Sequence, residues 1–325
     1  MKTPKTAKVI TGVFAGLVAG SWLFISSCAQ KNDTSSDAGG RASMPGAKAP
    51  ASFQGSIVFQ SNMDGDNEIY LLSTAGLRKL TDNDWQDEYP LWSPDGKWIS
   101  FSANPRGNYD IFIMDAAGSG IRRITTSSRD EIEQAWFPDG RKMAYTEEVR
   151  RPLGRRYSLW SADLGSGEVR RIAPDFGGSA ALPNFSPAGP LMAFTGKRTM
   201  GWDIYVYDLE KENYVHLTEG GHACRPHFSP DGRKIAYVSH EADGKGDIWL
   251  MNPDGSGKER LTARDETYDY FPAWSPDGRN IVFASSRDTM YADRGEWALY
   301  VVEIESRRVE LLFDSAGRDV FPDWR

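Results

Sequence analysis

Cysteine is nearly absent, with two in 325 residues, Cys28 and Cys224. Cys28 falls at the end of a leader-like segment, which leaves Cys224 without a partner and rules out a disulfide framework. Also missing are a G-x-S-x-G elbow, a Walker A loop and a dinucleotide fingerprint, so those routes to hydrolysis and nucleotide chemistry have no support. The repeated part of the chain shows no helical period. Only one long apolar run occurs, Val9–Ser27. Basic charge is in deficit, the formal balance being −7. That argues against nucleic acid and against an electrostatic hold on anionic lipid.

What the chain does contain is one phrase, many times over. AWSPDGRNIVF at Ala273–Phe283 has near-copies beginning at Leu91, Ala135, Asn184 and His227, and a truncated copy, DWR, begins at Asp323. The anchor aromatics Trp92, Trp136, Phe185, Phe228, Trp274 and Trp324 are 44, 49, 43, 46 and 50 residues apart. A period of that size marks a repeat architecture. Within a repeat, Ser-Pro-Asp-Gly suits a tight turn, because proline presets φ and glycine takes the positive φ that follows. Runs rich in β-branched and aromatic residues flank it, so the tetrad joins two antiparallel strands. A third strand follows, as in Asp110–Asp115, Asp203–Asp208 and Asp247–Asn252, and then a short fourth ending in Leu-Thr or Ile-Thr.

Four short strands make a sheet with two apolar faces, which cannot bury both alone. Radial stacking solves this, and the expected fold is an all-β, six-bladed β-propeller of four-stranded antiparallel blades. The first repeat-like segment, Ser56–Thr81, lacks a first strand, and Phe321–Arg325 supplies one, so one blade is expected to close from both ends. The tryptophans on repeat positions, Trp160 and Trp249 among them, then read as inter-blade packing. Burying one such ring contributes at most ~4 kcal/mol.

Repeats of the form P-x-W-S-P-D-G-x-x-I-x-F, followed by D-I-Y-x-M-D and R-x-L-T, resemble those of the TolB family. The resemblance covers roughly Ser56 to Arg325. It implies a propeller that acts in the envelope of Gram-negative bacteria as a binding scaffold and not as an enzyme. The α/β domain that precedes the propeller in that family has no counterpart here.

Met1–Ser27 reads as a targeting segment, with Lys2, Lys5 and Lys8 before the apolar run. Its end, Ile25-Ser26-Ser27-Cys28, resembles a lipobox, which implies cleavage before Cys28 and acylation of that residue. Ala29 is not aspartate, so by the same resemblance the inner-membrane retention signal is missing and an outer-membrane anchor facing the periplasm is expected. Losing Met1–Ser27 removes three lysines and no acid, moving the formal charge from −7 to −10. Residues 28–52, rich in Ser, Gly, Ala, Lys and Pro, read as a flexible tether. The propeller is assigned to 53–325. A monomer is expected, with the lipid anchor its one membrane contact.

Strand order places the Ser-Pro-Asp-Gly turns on one face, and the second-to-third-strand and inter-blade connections on the other. The second face carries the variation. Thr146–Tyr157 and Ser285–Trp297 are long insertions, and Thr262–Phe271 is acidic and aromatic. The residues expected to meet an envelope protein or peptide are Arg150, Arg155, His222, Arg225, Tyr268, Tyr270 and Arg294. Arginine and tyrosine combine large contact area with a polar tip. No catalytic residue is assigned and no cofactor is expected. Two sets could hold calcium or another divalent metal: Asp64, Asp66 and Glu68, or His222 with His240. Turn chemistry and solvated loop histidines are the plainer readings of each. The alternative function is a metal-dependent polysaccharide-active enzyme, because oligogalacturonate lyases resemble this chain in repeat type. Asp87, Glu131, Asp269 and Asp319, each five before an anchor aromatic, are expected to bond backbone where the blade begins.

Overall fold

The computed structural model describes residues 53–152, 154–315 and 317–325. The leader, Cys28 and the tether lie outside the described residues. Six four-stranded antiparallel sheets account for every strand among them. Blade one combines β1 (Ser56–Ser61), β2 (Glu68–Ser73) and β3 (Gly76–Lys79) with the last strand, β24 (Val320–Trp324). Blade two holds β4 (Asp87–Trp92), β5 (Trp98–Ala103), β6 (Asp110–Asp115) and β7 (Arg122–Arg123). Blade three is β8 (Asp130–Trp136), β9 (Lys142–Arg151), β10 (Gly154–Asp163) and β11 (Val169–Arg171). Blade four is β12 (Ser179–Phe185), β13 (Leu191–Lys197), β14 (Asp203–Asp208) and β15 (Asn213–His216). Blade five is β16 (Ala223–Phe228), β17 (Ile235–Ser239), β18 (Asp247–Met251) and β19 (Glu259–Arg260). Blade six is β20 (Tyr268–Trp274), β21 (Asn280–Ser286), β22 (Ala298–Glu303) and β23 (Val309–Phe313).

The split blade is sealed as the repeat arithmetic requires. Ile57 pairs with Trp324 and Val58 with Asp323. The backbones of Ser56 and Arg325 exchange hydrogen bonds, and the Asp323 carboxylate accepts the Trp92 amide of blade two at 2.7 Å. Each pair of neighbouring blades packs through an apolar cluster. Phe59, Phe283, Trp297 and Leu299 are fully buried in the largest cluster, which spans blades five, six and one.

The outermost strands end sooner than the sequence implies, and the threonine explains it. The hydroxyls of Thr81, Thr125, Thr218 and Thr262 accept the amides of Ile69, Ile111, Ile204 and Ile248 at 2.8–3.0 Å. The side chain thus takes a bond that a longer strand would have supplied. Two residues earlier a basic side chain meets the acid that starts the third strand: Lys79 with Glu68, Arg123 with Asp110, His216 with Asp203, and Arg260 with Asp247. Blades three and six, which carry the long insertions, have Ser158 and Ala298 at that acidic position.

In the Ser-Pro-Asp-Gly turns the serine hydroxyl donates to the aspartate, as in Ser93–Asp95 at 2.7 Å, Ser229–Asp231 and Ser275–Asp277, both at 2.6 Å. Gly96, Gly140, Gly232 and Gly278 take φ of 66–69°, the left-handed value that only glycine adopts without cost.

Candidate functional site

The inner strands of all six blades carry the same irregularity, three residues before the anchor aromatic. Tyr89, Glu133, Leu182, Arg225, Phe271 and Phe321 have φ between 52° and 59°. Pairing registers slip at the same places in blades two to six, between Glu88 and Leu91 and at the four equivalents. These are β-bulges, and each re-aims one side chain toward the axis. Proline follows the bulged residue in five of the six: Pro90, Pro183, Pro226, Pro272 and Pro322. Proline has no amide for the ladder, and within a sheet it belongs at an edge or a bulge. Blade three has Gln134 instead, whose amide donates to the Tyr89 carbonyl at 2.5 Å.

Four of the six side chains pack in sequence around the axis. The Arg225 guanidinium lies 4.3 Å from the Phe271 ring centre and 5.3 Å from that of Phe321. Phe271 and Phe321 are 4.1 Å apart, and Phe321 meets Tyr89 edge-on at 4.4 Å. All six line a cavity of about 120 Å³. Leu91, Asn184, His227 and Asp323 line it too, and they also line a wider vestibule of about 420 Å³ walled by Pro94, Pro187, Pro230 and Pro276 of the turn face. Burial pushes Glu133 up to about 7 against the pull of Arg225, and pushes the His227 imidazole down to about 4.

On the opposite, loop-rich face the structure divides the expected partner residues. Arg150, His222 and Arg294 are exposed, and Arg155 and Tyr268 are partly so. Arg150 is tied to Asp130 at 3.3 Å, and Arg155 to Glu148 at 3.0 Å. Tyr270 is corrected from surface contact to core. It is 3% exposed, its hydroxyl meets His240 Nε2 at 2.7 Å, and its ring approaches Gly246 so closely that a Cβ there would collide with it. Arg225 also moves, from the loop face to the axial cavity, because the bulge turns it inward.

The metal candidates do not assemble. Among the described residues no three His, Cys, Asp or Glu side chains form a cation-sized group. His240 has both ring nitrogens engaged, with Tyr270 and with the Gly244 carbonyl at 3.3 Å. In the acidic turn the Lys79 ammonium already sits 2.7 Å from Asp64 and 3.4 Å from Glu68. The acids five before the anchor bond mostly to side chains where backbone was expected. Asp87 accepts Asn83, Asp269 accepts Ser285 and Thr267, and Asp319 accepts Ser61, Ser315 and one backbone amide, that of Ser315.

Those buried acids set a pH dependence. Burial raises Asp87, Glu88 and Asp323 to about 7, and Asp247 and Asp319 to about 6. A carboxyl raised on folding binds its proton more tightly in the folded state. Its contribution is complete below the ordinary value near 4 and is lost as pH rises through 6–7. The turn aspartates act oppositely: the Ser93 hydroxyl holds Asp95 down to about 2, and Ser229 and Ser275 lower Asp231 and Asp277. Their contribution fades as pH falls below ~4. The melting midpoint is therefore expected to peak near pH 5 and to be lower by about 5 °C at pH 8. A midpoint that is flat or rising between pH 5 and 8 would contradict this assignment.

A family model described as the TolB beta propeller domain matches residues 31–154 and 153–292. The chain belongs to the TolB beta propeller domain family. This TolB-type chain is 28% identical over 270 residues to an uncharacterized protein of Agrobacterium fabrum, covering 79% of this chain and 86% of that one. It is 29% identical over 230 residues to the Tol-Pal system protein TolB of Francisella tularensis subsp. holarctica, spanning 68% of this chain and about half, 52%, of the relative. The crystal structure of TolB from Acinetobacter baumannii superposes with a TM-score of 0.71 at 22% identity, over 85% of this chain and 68% of that one. At that identity the superposition speaks for the fold alone.

Proposed function

We propose that this propeller is a lipid-anchored scaffold of the cell envelope, which binds another envelope protein or a peptide through its loop-rich face and performs no catalysis of its own. Membership in the TolB propeller family supports the scaffold role, and the lipobox-like Ile25–Cys28 supports the anchor. The observation that carries the choice of face is the hairpin of blade three. Its strands pair over ten residues, from Lys142 opposite Asp163 to Arg151 opposite Gly154, where β5 and β6 pair over six. Four more pairs at about 3.4 Å each lift the tip some 14 Å beyond its neighbours. Ion pairs of Arg129 with Glu147, Arg150 with Asp130 and Arg155 with Glu148 stiffen the stem. Arg151 and Arg156 near the tip make no ion pair among the described residues. A basic finger held over a face that also exposes His222 and Arg294 suits an acidic or carboxylate-rich partner surface.

Crosslinked pull-down from membranes tests this. Alanine at Arg151, Arg156, Tyr268 or Arg294 is expected to weaken capture by about 1–2 kcal/mol each without lowering the melting midpoint. The reversals Lys97→Glu and Arg233→Glu on the turn face should leave capture unchanged, and Cys28→Ser should abolish labelling by a fatty-acid analogue and leave the leader attached. Capture that follows the turn-face reversals and ignores the alanines would overturn the choice of face.

A further inference from the structure

The axial cavity carries chemistry that the loop-face reading does not use. A left-handed backbone is strained for an L-residue, and glycine would adopt it freely. None of the six bulge positions is glycine. What each position gains in return is a side chain turned into the axial cavity.

Two of those side chains have hydrogen-bonding capacity to spare. Glu133 is 4% exposed and neither carboxylate oxygen meets a hydrogen-bond partner in full geometry, the nearby Leu182 amide being turned to the Thr146 hydroxyl instead. The Nε of Arg225 is buried and unpaired as well. The two charges line the same cavity yet form no ion pair with each other or with another described residue. Glu133 is buried and Arg225 half-buried, so a ligand that brings an ammonium to the one and a carboxylate to the other gives each a partner the fold does not supply. An ammonium offers three donors to the two oxygens of Glu133, and a carboxylate accepts from the Arg225 guanidinium. Leu182 and the prolines that follow the bulges provide an apolar wall for the remainder. At about 10–15 Å³ for each water-sized sphere, 120 Å³ holds about ten. That admits a molecule of amino-acid size.

We propose that the propeller axis is a binding site for a small zwitterion, a free α-amino acid or a two-residue peptide, with its ammonium on Glu133 and its carboxylate on Arg225. The ligand enters from the turn face through the vestibule walled by the four prolines. This site is separate from the loop-rich face and does not depend on it.

Calorimetric titration of the full chain in detergent tests the assignment with glycine, L-alanine, L-phenylalanine and Gly-Gly as probes. N-acetylalanine and alaninamide serve as the blocked controls. Alanine or Gly-Gly is expected to bind, and which of the two binds more tightly identifies the source. Each blocked control should bind at least about ten-fold more weakly, because each has lost one charge-assisted contact. Glu133→Gln should reduce the alanine preference over N-acetylalanine to near unity, with its melting midpoint recorded alongside. The wild-type series decides independently of that variant. No heat from any zwitterion, or equal binding of the blocked controls, overturns the proposal. Partner capture measured on the same preparation keeps that failure distinct from failure of the loop-face reading.

Discussion

Deletion of Val320–Arg325 is expected to abolish the cooperative unfolding transition of the propeller. Six residues are removed, yet they are the whole inner strand of blade one. Without them Ile57 and Val58 lose their pairing partners, the Ser56 backbone loses both bonds to Arg325, and the Trp92 amide loses the Asp323 carboxylate. Val320, fully buried in the cluster spanning blades five, six and one, goes as well. The loss is of a ring closure and not of a single contact, so it exceeds any point substitution here. Trp324→Ala alone should be milder, about 1–3 kcal/mol, because that ring stays partly exposed and its Nε1 bonds the Gln54 carbonyl at the rim. Denaturant melts followed by fluorescence distinguish the two. A truncated protein that unfolds at the wild-type midpoint would mean that blade one does not need β24.

Trp297→Ala is expected to be the most damaging single substitution, at about 3–5 kcal/mol. This ring is 1% exposed and packs against Tyr270 at 5.9 Å and Phe271 at 5.8 Å. Its Nε1 donates to the Tyr291 and Arg294 carbonyls, both at 3.2 Å, so the same side chain pins the blade-six insertion to the core. Its backbone amide donates to the Gly317 carbonyl at 2.9 Å, and its carbonyl accepts the Asp319 amide at 3.0 Å. The substitution should therefore do two things: lower the denaturant midpoint, and expose residues 287–296 to limited proteolysis under conditions where the rest of the ring resists. Loss of stability with no change in cleavage at that loop would show that the indole acts by packing alone.

The sequence was most informative where one physical rule repeats. Ser-Pro-Asp-Gly recurs with the same turn chemistry, and the third strands Asp110–Asp115 and Asp203–Asp208 fall where their apolar runs place them. The split blade followed from a missing first strand at Ser56 and a surplus one at Phe321. The short outer strands were less legible, because a threonine hydroxyl does work that a ladder amide was expected to do. The axial ring was missed although its signal was in plain view: proline two before the anchor aromatic in five repeats. Read as strand, that proline is an anomaly; read as bulge, it marks the preceding residue as turned inward, and it would have placed Arg225 on the axis. Tyr270 was misplaced for a related reason. It lies in an acidic, aromatic segment that looks like surface, but strand alternation past Asp269 and the open space above Gly246 bring its ring into the core. No local pattern in the sequence records that Gly246 contact, since it joins blades five and six.

Site-specific photocrosslinking on intact cell envelopes reads the central claim most directly. A photoreactive residue would be placed at Arg151, Tyr268 or Arg294 on the loop-rich face, and at Lys97 or Arg233 on the turn face. The account predicts that one discrete envelope protein is trapped from the loop-rich positions and that none is trapped from Lys97 or Arg233. A discrete adduct that forms from the turn-face positions alone would contradict it.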